Sequence, residues 1–366
     1  MRHARGLLPY LVAAIVIAGG ATALVLGTTL GPDVAAPVGG EIARSAPQLS
    51  PTGRLAYWRQ NPAGAFVLSA ANLDGSLARP LLTLSVSASR PFGTRWTADG
   101  GSVAFITDSG LSVIGLDGSR VDLALPSAAR TGGFRIIDQR WSPSGARVAA
   151  TVFRSTDSRS EVYFGSRERR ELVRAGDLGN VFAADWLSED EVLTESDRGV
   201  LGALRESGTV RKLVQQSAAS PFVDGGRVYY LAGAIGASGD ASGIFVTSPS
   251  VWSVAVDGKD PRVETQLGIS GDLRLDGRWP DGRYLMHLFR DRTQWLAGNR
   301  LSPFTSATAL QRVVVSADRR SAIGFGGGRI VRVDLTRGTT PAEGAFVVLL
   351  DGIAGADVWV RRTSAA

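Results

Sequence analysis

Five acids, Asp157, Asp185, Glu189, Asp240 and Asp291, are the residues from which hydrolytic chemistry would have to be built in this chain. Two carboxyls flanking one bond can divide general acid and general base work between them, as in glycoside hydrolysis. Other routes lack reagents. The chain has no Cys, and its two His are His3 and His287. A Ser-His-Asp relay needs a solvent-reachable His with an orienting acid. His287 instead alternates within the strand-like "RYLMHLF" and reads as structural. With so few ligands, no metal site and no cofactor is expected. "GFGGGRI" (324–330) resembles a phosphate loop in composition only. It lies between two strand-like runs with no helix following, so it reads as a hairpin turn. Most of the acids fall in turns, where Asp caps its own backbone. The Ser-x-Asp-x-Gly-x-Thr-Trp box of sialidase-type propellers is absent. No residue is assigned a catalytic role, and the expectation is a protein that is not an enzyme.

What must position these groups is a repeat. "QRWSPSGARVAA" (139–150) joins an aromatic, a polar turn and an apolar run. It recurs as "QLSPTGRLAYW", "TRWTADGGSVAF", "ADWLSEDEVLT", "SPFVDGGRVYY", "GRWPDGRYLMH" and "VVVSADRRSAIGF". The turn residues Gly53, Gly100, Gly145, Asp190, Gly225, Gly282 and Arg319 are 47, 45, 45, 35, 57 and 37 residues apart. That spacing suits four-stranded propeller blades. Downstream lie "SAANLDGSLARPLL", "LSVIGLDGSRVDLAL", "WSVAVDGKDPRVET" and the weaker "GALRESGTVRKLV". Asp-Gly between apolar runs signals a hairpin, because Gly takes positive φ without steric cost. Each unit therefore reads as strand A, turn, strand B, loop, strand C, turn, strand D. The expected fold is an all-β propeller of four-stranded blades over 48–366, with seven blades and six as the alternative. "ADVWVRR" (356–362) remains over, to pair with either the first or the last blade.

"RWSPSGARVAA" and "RWTADGGSVAF", each followed by a strand and an "LDG"- or "RER"-type turn, resemble the WD40-like (PD40) repeats of TolB-type β-propellers. The resemblance covers roughly 45–362 and is closest in the first three units. It implies a propeller fold, seen both in free-standing periplasmic interaction proteins and in domains attached to peptidases. Members of that family often have six blades, where seven motifs are counted here. The last unit runs to just before Ala366, so no peptidase domain is expected.

Within such a ring, Trp96, Trp141, Trp186 and Trp279 hold one repeat position. They could be stacking platforms for a glycan or peptide, but a large side chain ending every strand A is first of all blade-to-blade packing. "SRERRELVR" (166–174) reads as a solvated C–D hairpin. The B–C loops share one face and are unequal: 59–66, 154–161, the long 233–250, and the compact "RDRT" (290–293). Extended loops on one face mark a binding face. The candidate binding residues are accordingly Arg59, Arg154, Asp157, Arg290, Asp291 and Arg292, on the rim around the central channel.

The N-terminus supplies an address. "MRHAR" is basic, and residues 6–31 carry no charge. About 20 apolar residues span a bilayer as a helix. Arg2 and Arg5 before the span and Asp33 after it place the N-terminus in the cytoplasm and the rest outside. A signal peptide cleaved after Ala21-Thr22-Ala23 is the alternative, giving a secreted chain. Without Cys, a bacterial lipoprotein anchor is excluded. Residues 32–47 read as a Pro/Gly/Ala-rich linker. The net charge of +6 is spread thinly, with no basic block interleaved with aromatics, so nucleic acid is not an expected partner. The basic residues are Arg apart from Lys212 and Lys259, which suits a GC-rich prokaryotic genome. The expected function is a membrane-anchored, extracytoplasmic scaffold or sensor that binds an envelope protein. Small-molecule or glycan binding in the channel is the alternative, and a carboxylate-based hydrolase the third reading.

Overall fold

Alternation along single strands decides the architecture. In the strand Gly53–Gln60, Leu55 and Tyr57 pack to one side, and Ala56 and Trp58 to the other, all buried. In Arg147–Arg154, Val148, Ala150 and Val152 face one neighbour while Ala149 faces the opposite one. Side chains of a strand point alternately to the two faces of its sheet. A sheet apolar on both faces must lie between two others, and radial repetition achieves that for every blade. Among the described residues, seven hydrophobic clusters result, each filled from two consecutive repeat units. The last joins Ile323 and Ile330 of the seventh unit to Leu55, Tyr57 and Val358. The ring is therefore closed by packing.

The computed structural model describes residues 48–361 except 87–90, 238–243, 269, 280, 289–292, 299–300, 305–309, 311, 317–319 and 336–345. The expected span 6–31 and linker 32–47 lie outside the described residues. Among the described residues, no helix is long and apolar enough to cross a membrane. The one described helix, α1 (Ser127–Thr131), is a single turn leading into the third unit.

Among the described residues, twenty-eight strands form six hydrogen-bonded sheets, five of four strands and one of eight. Counted as sheets, the blades number six, the alternative, and not seven. The cause lies in the fifth unit. Its B and C strands, Arg227–Ala237 and Ile244–Ala255, form a hairpin longer than the blade needs. Beyond the blade, Phe245 and Val246 pair with Asp272 and Gly271 on the A strand of the sixth unit, fusing the two units into one sheet. The same hairpin corrects the reading of 233–250 as a loop. Most of it is paired strand, from Ala234↔Thr247 out to Ala237↔Ile244.

The leftover C-terminal segment closes the ring on the first blade. Ile353–Val360 pairs antiparallel with Gly53–Gln60, from Gly53↔Val360 to Arg59↔Ile353, and becomes the innermost strand of that sheet. The opening motif is the turn expected of it. Trp141 ends one strand, the Ser142 N–H donates to the Arg147 carbonyl at 2.9 Å, and Gly145 sits at φ +72°. The residue after the aromatic plugs the turn: Ser142 Oγ accepts from the Arg147 N–H, as Thr97 Oγ1 does from Ser102 and Ser316 Oγ from Ser321. Asp-Gly at 74–75, 117–118 and 257–258 makes C–D turns. In each, the Asp carboxylate accepts the N–H two residues on. The Ser76 and Ser119 hydroxyls, with those N–H groups, lower the pKa of Asp74 and Asp117, and the Lys259 N–H lowers that of Asp257.

Candidate functional site

Seven inner strands converge on one channel of about 2600 Å³: Phe92–Trp96, Phe134–Trp141, Val181–Trp186, Ala218–Asp224, Gly271–Arg278, Arg312–Val315 and Ile353–Val360. Pockets that enclose a small ligand are typically about 300–1,000 Å³, so the whole channel is larger than one such pocket. Its wall is stitched by acids. The inner strands carry β-bulges, at Ile136–Asp138, Ala183–Asp185 and Leu275–Gly277 among others. A bulge takes residues out of the ladder and re-aims their side chains.

Acids on the inner strands tie neighbouring strands together. Asp185 accepts the Trp186 N–H at 2.9 Å and, across to the next inner strand, the Val223 N–H at 3.1 Å. Asp357, on the closing strand, accepts the Trp96 N–H at 2.8 Å. Arg95 lies between Asp138 (3.4 Å) and Asp357 (3.7 Å), linking three successive inner strands. Arg140 holds the other oxygen of Asp138 at 2.7 Å. Burial alone would raise the Asp138 pKa, but Arg140, Arg95 and the Gln139 N–H outweigh it and hold the carboxyl below its usual range. Burial would likewise lower Arg95, and its two carboxylates outweigh that and raise it.

Glu195 differs. It lines the channel at the end of Val192–Ser196, and both its oxygens share one donor, the Ser220 N–H, at 3.1 and 3.2 Å. Ser220 is held at φ +52°, a left-handed conformation uncommon for a residue with a side chain. Burial pushes the Glu195 carboxyl up to about 7, against the single stabilising N–H.

The expected rim residues have different fates. Arg59 donates to the Asp351 carbonyl at 2.9 Å and lies over Tyr57. Arg154 binds Asp157 through Nε at 2.8 Å, reaches buried Glu161 at 3.4 Å, and lies over Phe134. Hydrogen bonding to Arg154 lowers the Asp157 pKa. Arg59 and Arg154 lie near the ends of B strands and Asp157 in the turn after Arg154, all occupied locally and outside the channel wall. Arg290, Asp291 and Arg292 lie outside the described residues, as does Asp240. Of the other acids weighed for hydrolysis, Asp185 is a stitch, and Glu189 accepts both the N–H and the hydroxyl of Ser144 in the preceding unit, at 2.6 and 2.7 Å. Trp96, Trp141, Trp186 and Trp279 are 3–7 % exposed and serve blade packing. Trp186, for example, meets Phe164 edge-on at 6.0 Å and donates to the Arg140 carbonyl. The stitching acids had a partial signal in the sequence: each lies within three residues of the aromatic ending its strand.

On the A–B turn face, Glu206 binds both Arg147 (2.5 Å) and Arg169, joining the third and fourth units and taking part of "SRERRELVR" out of free solution. Glu206→Gln should cost about 1 kcal/mol, and less at high salt because such pairs are screened. Urea unfolding at two ionic strengths checks this.

Among the described residues, no group of three His, Cys, Asp or Glu is placed to hold a metal. The ring, its four-stranded repeat units and its C-terminal closing strand define the chain as a β-propeller. No family model matches it, and no curated protein does. Among solved structures it is similar to an oligogalacturonate lyase in complex with manganese, at 11 % identity and TM-score 0.52, over 75 % of this chain and 86 % of that one. It is similar to an oligogalacturonate lyase from Vibrio parahaemolyticus at 9 % and 0.52, over 74 % and 87 %. TolB from Acinetobacter baumannii matches at 18 % and 0.43, over 75 % of this chain, which spans 64 % of TolB's length. At these identities the likeness is one of fold. The β-propeller fold expected from the TolB-type resemblance is found, and the PD40 assignment of the repeats has no family-model match.

Proposed function

We propose that this chain is a non-enzymatic interaction scaffold that binds an envelope protein, held at the outer face of a membrane by its N-terminal segment. The observation that carries the reading is the use of the channel carboxylates. Asp138, Asp185 and Asp357 are spent on holding neighbouring strands, which makes the ring rigid and leaves little for acid–base chemistry. A second observation selects a face. The B–C loops and D–A connections lie at one mouth of the channel, and there Val86, Phe92 and Val200 are 65 %, 47 % and 42 % exposed. Interface cores are built from such apolar groups inside a polar rim, and here Arg59 and Arg154 would supply part of that rim.

Ligand binding in the channel is the second reading, favoured by Glu195, whose carboxyl opens onto it. The test is surface crosslinking in the native cells, followed by gentle-detergent pull-down of the tagged full-length chain. A stoichiometric protein partner is expected for the wild type, and its loss for the double variant Phe92→Asp, Val200→Asp. A chain recovered alone, or a partner retained undiminished by the variant, would sink the proposal or its choice of face respectively.

A further inference from the structure

The opposite face carries the A–B and C–D turns, and there two arginines of one blade, Arg54 and Arg79, form no ion pair among the described residues. Arg54 opens the strand Gly53–Gln60 and Arg79 opens Arg79–Thr83, in the same blade. The registers Arg54↔Asn72 and Ala70↔Arg79 put both on one side of that blade, since directly paired residues share a face and Asn72 and Ala70 are two apart. Ala70 packs toward the second unit, so both arginines lie on that side.

Arg54 is well fixed. It lies 5.2 Å over the Trp359 ring, its Nε donates to the Ser50 carbonyl at 2.8 Å, and its Nη1 to the Gly100 carbonyl. Its Nη2 makes no protein hydrogen bond among the described residues. The Arg79 Nε is buried with no acceptor. Neither arginine forms an ion pair among the described residues. The acid that acts on Arg54, Asp99, is engaged with Thr97 and Gly101. Burial lowers the Arg54 pKa, and the like charge of Arg79 lowers it further, against a smaller pull from Asp99. A buried donor without an acceptor costs about 1–3 kcal/mol, and two like charges on one face add to the cost. An added oxyanion held by the two guanidiniums would relieve the second cost.

We propose that Arg54 and Arg79 form a binding site for an oxyanion, a carboxylate or phosphate group presented between the first and second units. Guanidinium forks suit such groups because they donate several N–H bonds in one plane. The site lies on the face opposite the proposed partner surface and does not depend on it.

The test is an NMR titration of the arginine Nε–H resonances of the soluble 45–366 chain. Inorganic phosphate and an oligo-glutamate peptide are the two probes. Saturable shifts at Arg79 and Arg54 are expected, about tenfold weaker binding in Arg79→Gln and in Arg54→Gln, and no change in Arg59→Gln on the other face. Tighter binding of the peptide would identify an acidic protein segment as the source of the group, and tighter binding of phosphate a small anion. Arg79 makes no hydrogen bond through Nε, so its variant is expected to keep the fold. Shifts that do not saturate with either probe, or equal affinity in wild type and Arg79→Gln, would overturn the site.

Discussion

Asp357→Ala should lower the unfolding free energy by about 3 kcal/mol, a large share of a domain's net stability. Asp357 is 4 % exposed and sits on the strand that closes the ring. Its loss would leave the Trp96 N–H without its acceptor and remove one of the two carboxylates facing Arg95. Asp138 would still hold Arg95, which keeps the cost near the lower end of what breaking a buried pair incurs. The closing strand joins the two ends of the described chain, so the loss falls on closure of the whole ring. Urea unfolding would measure it. A change below about 1 kcal/mol would mean that the backbone ladder Gly53↔Val360 to Arg59↔Ile353 holds the closure alone.

Glu195→Gln should stabilise the protein, by an amount that grows as pH rises from about 4.5 to 7. The folded carboxyl titrates at about 7, above its ordinary 4.5. Between these values the folded state holds a proton that the unfolded state has released. Stability is therefore fully present below about pH 4.5 and falls as pH rises through 7, by about 3 kcal/mol in total, then levels off. The Gln variant lacks this loss, so it should exceed the wild type at pH 8 and match it at pH 4.5. Asp138 works with the opposite sign. Its folded pKa is lowered, so its contribution is present above the unfolded Asp pKa and lost in acid as pH falls through the folded value. Thermal unfolding of both proteins from pH 4 to pH 8 reads the difference. Parallel profiles would show that Glu195 is well solvated in the channel.

The turns were legible in the sequence because each is a local problem. Gly145 and Gly118 need positive φ, and Ser142 and Asp117 bond within a few residues, so residue type and spacing are enough. The Trp positions were legible for the same reason, since one large side chain per unit must fill each gap between blades. The fusion of the fifth and sixth units was not. It depends on how far the hairpin Arg227–Ala237/Ile244–Ala255 outruns its blade, and Gly/Ser/Ala-rich sequence disguised its strands as a loop. Nor was the destination of the closing strand, because "ADVWVRR" suits the first blade and the last equally. The candidate rim was read from charge and loop length, and those properties do not reveal that Arg154 is already taken by Asp157 and Glu161. Arg54 and Arg79, 25 positions apart in sequence, meet only through strand register. Counting outward from the Asp74-Gly75 turn was the one signal that could have paired them.

Native mass spectrometry of the full-length chain, gently extracted from the cells that make it, tests the scaffold reading most directly. A defined complex of this chain with one other protein is the predicted result. A chain that carries only a small bound mass, or nothing, would contradict the scaffold and return the channel and Glu195 to the centre of the account.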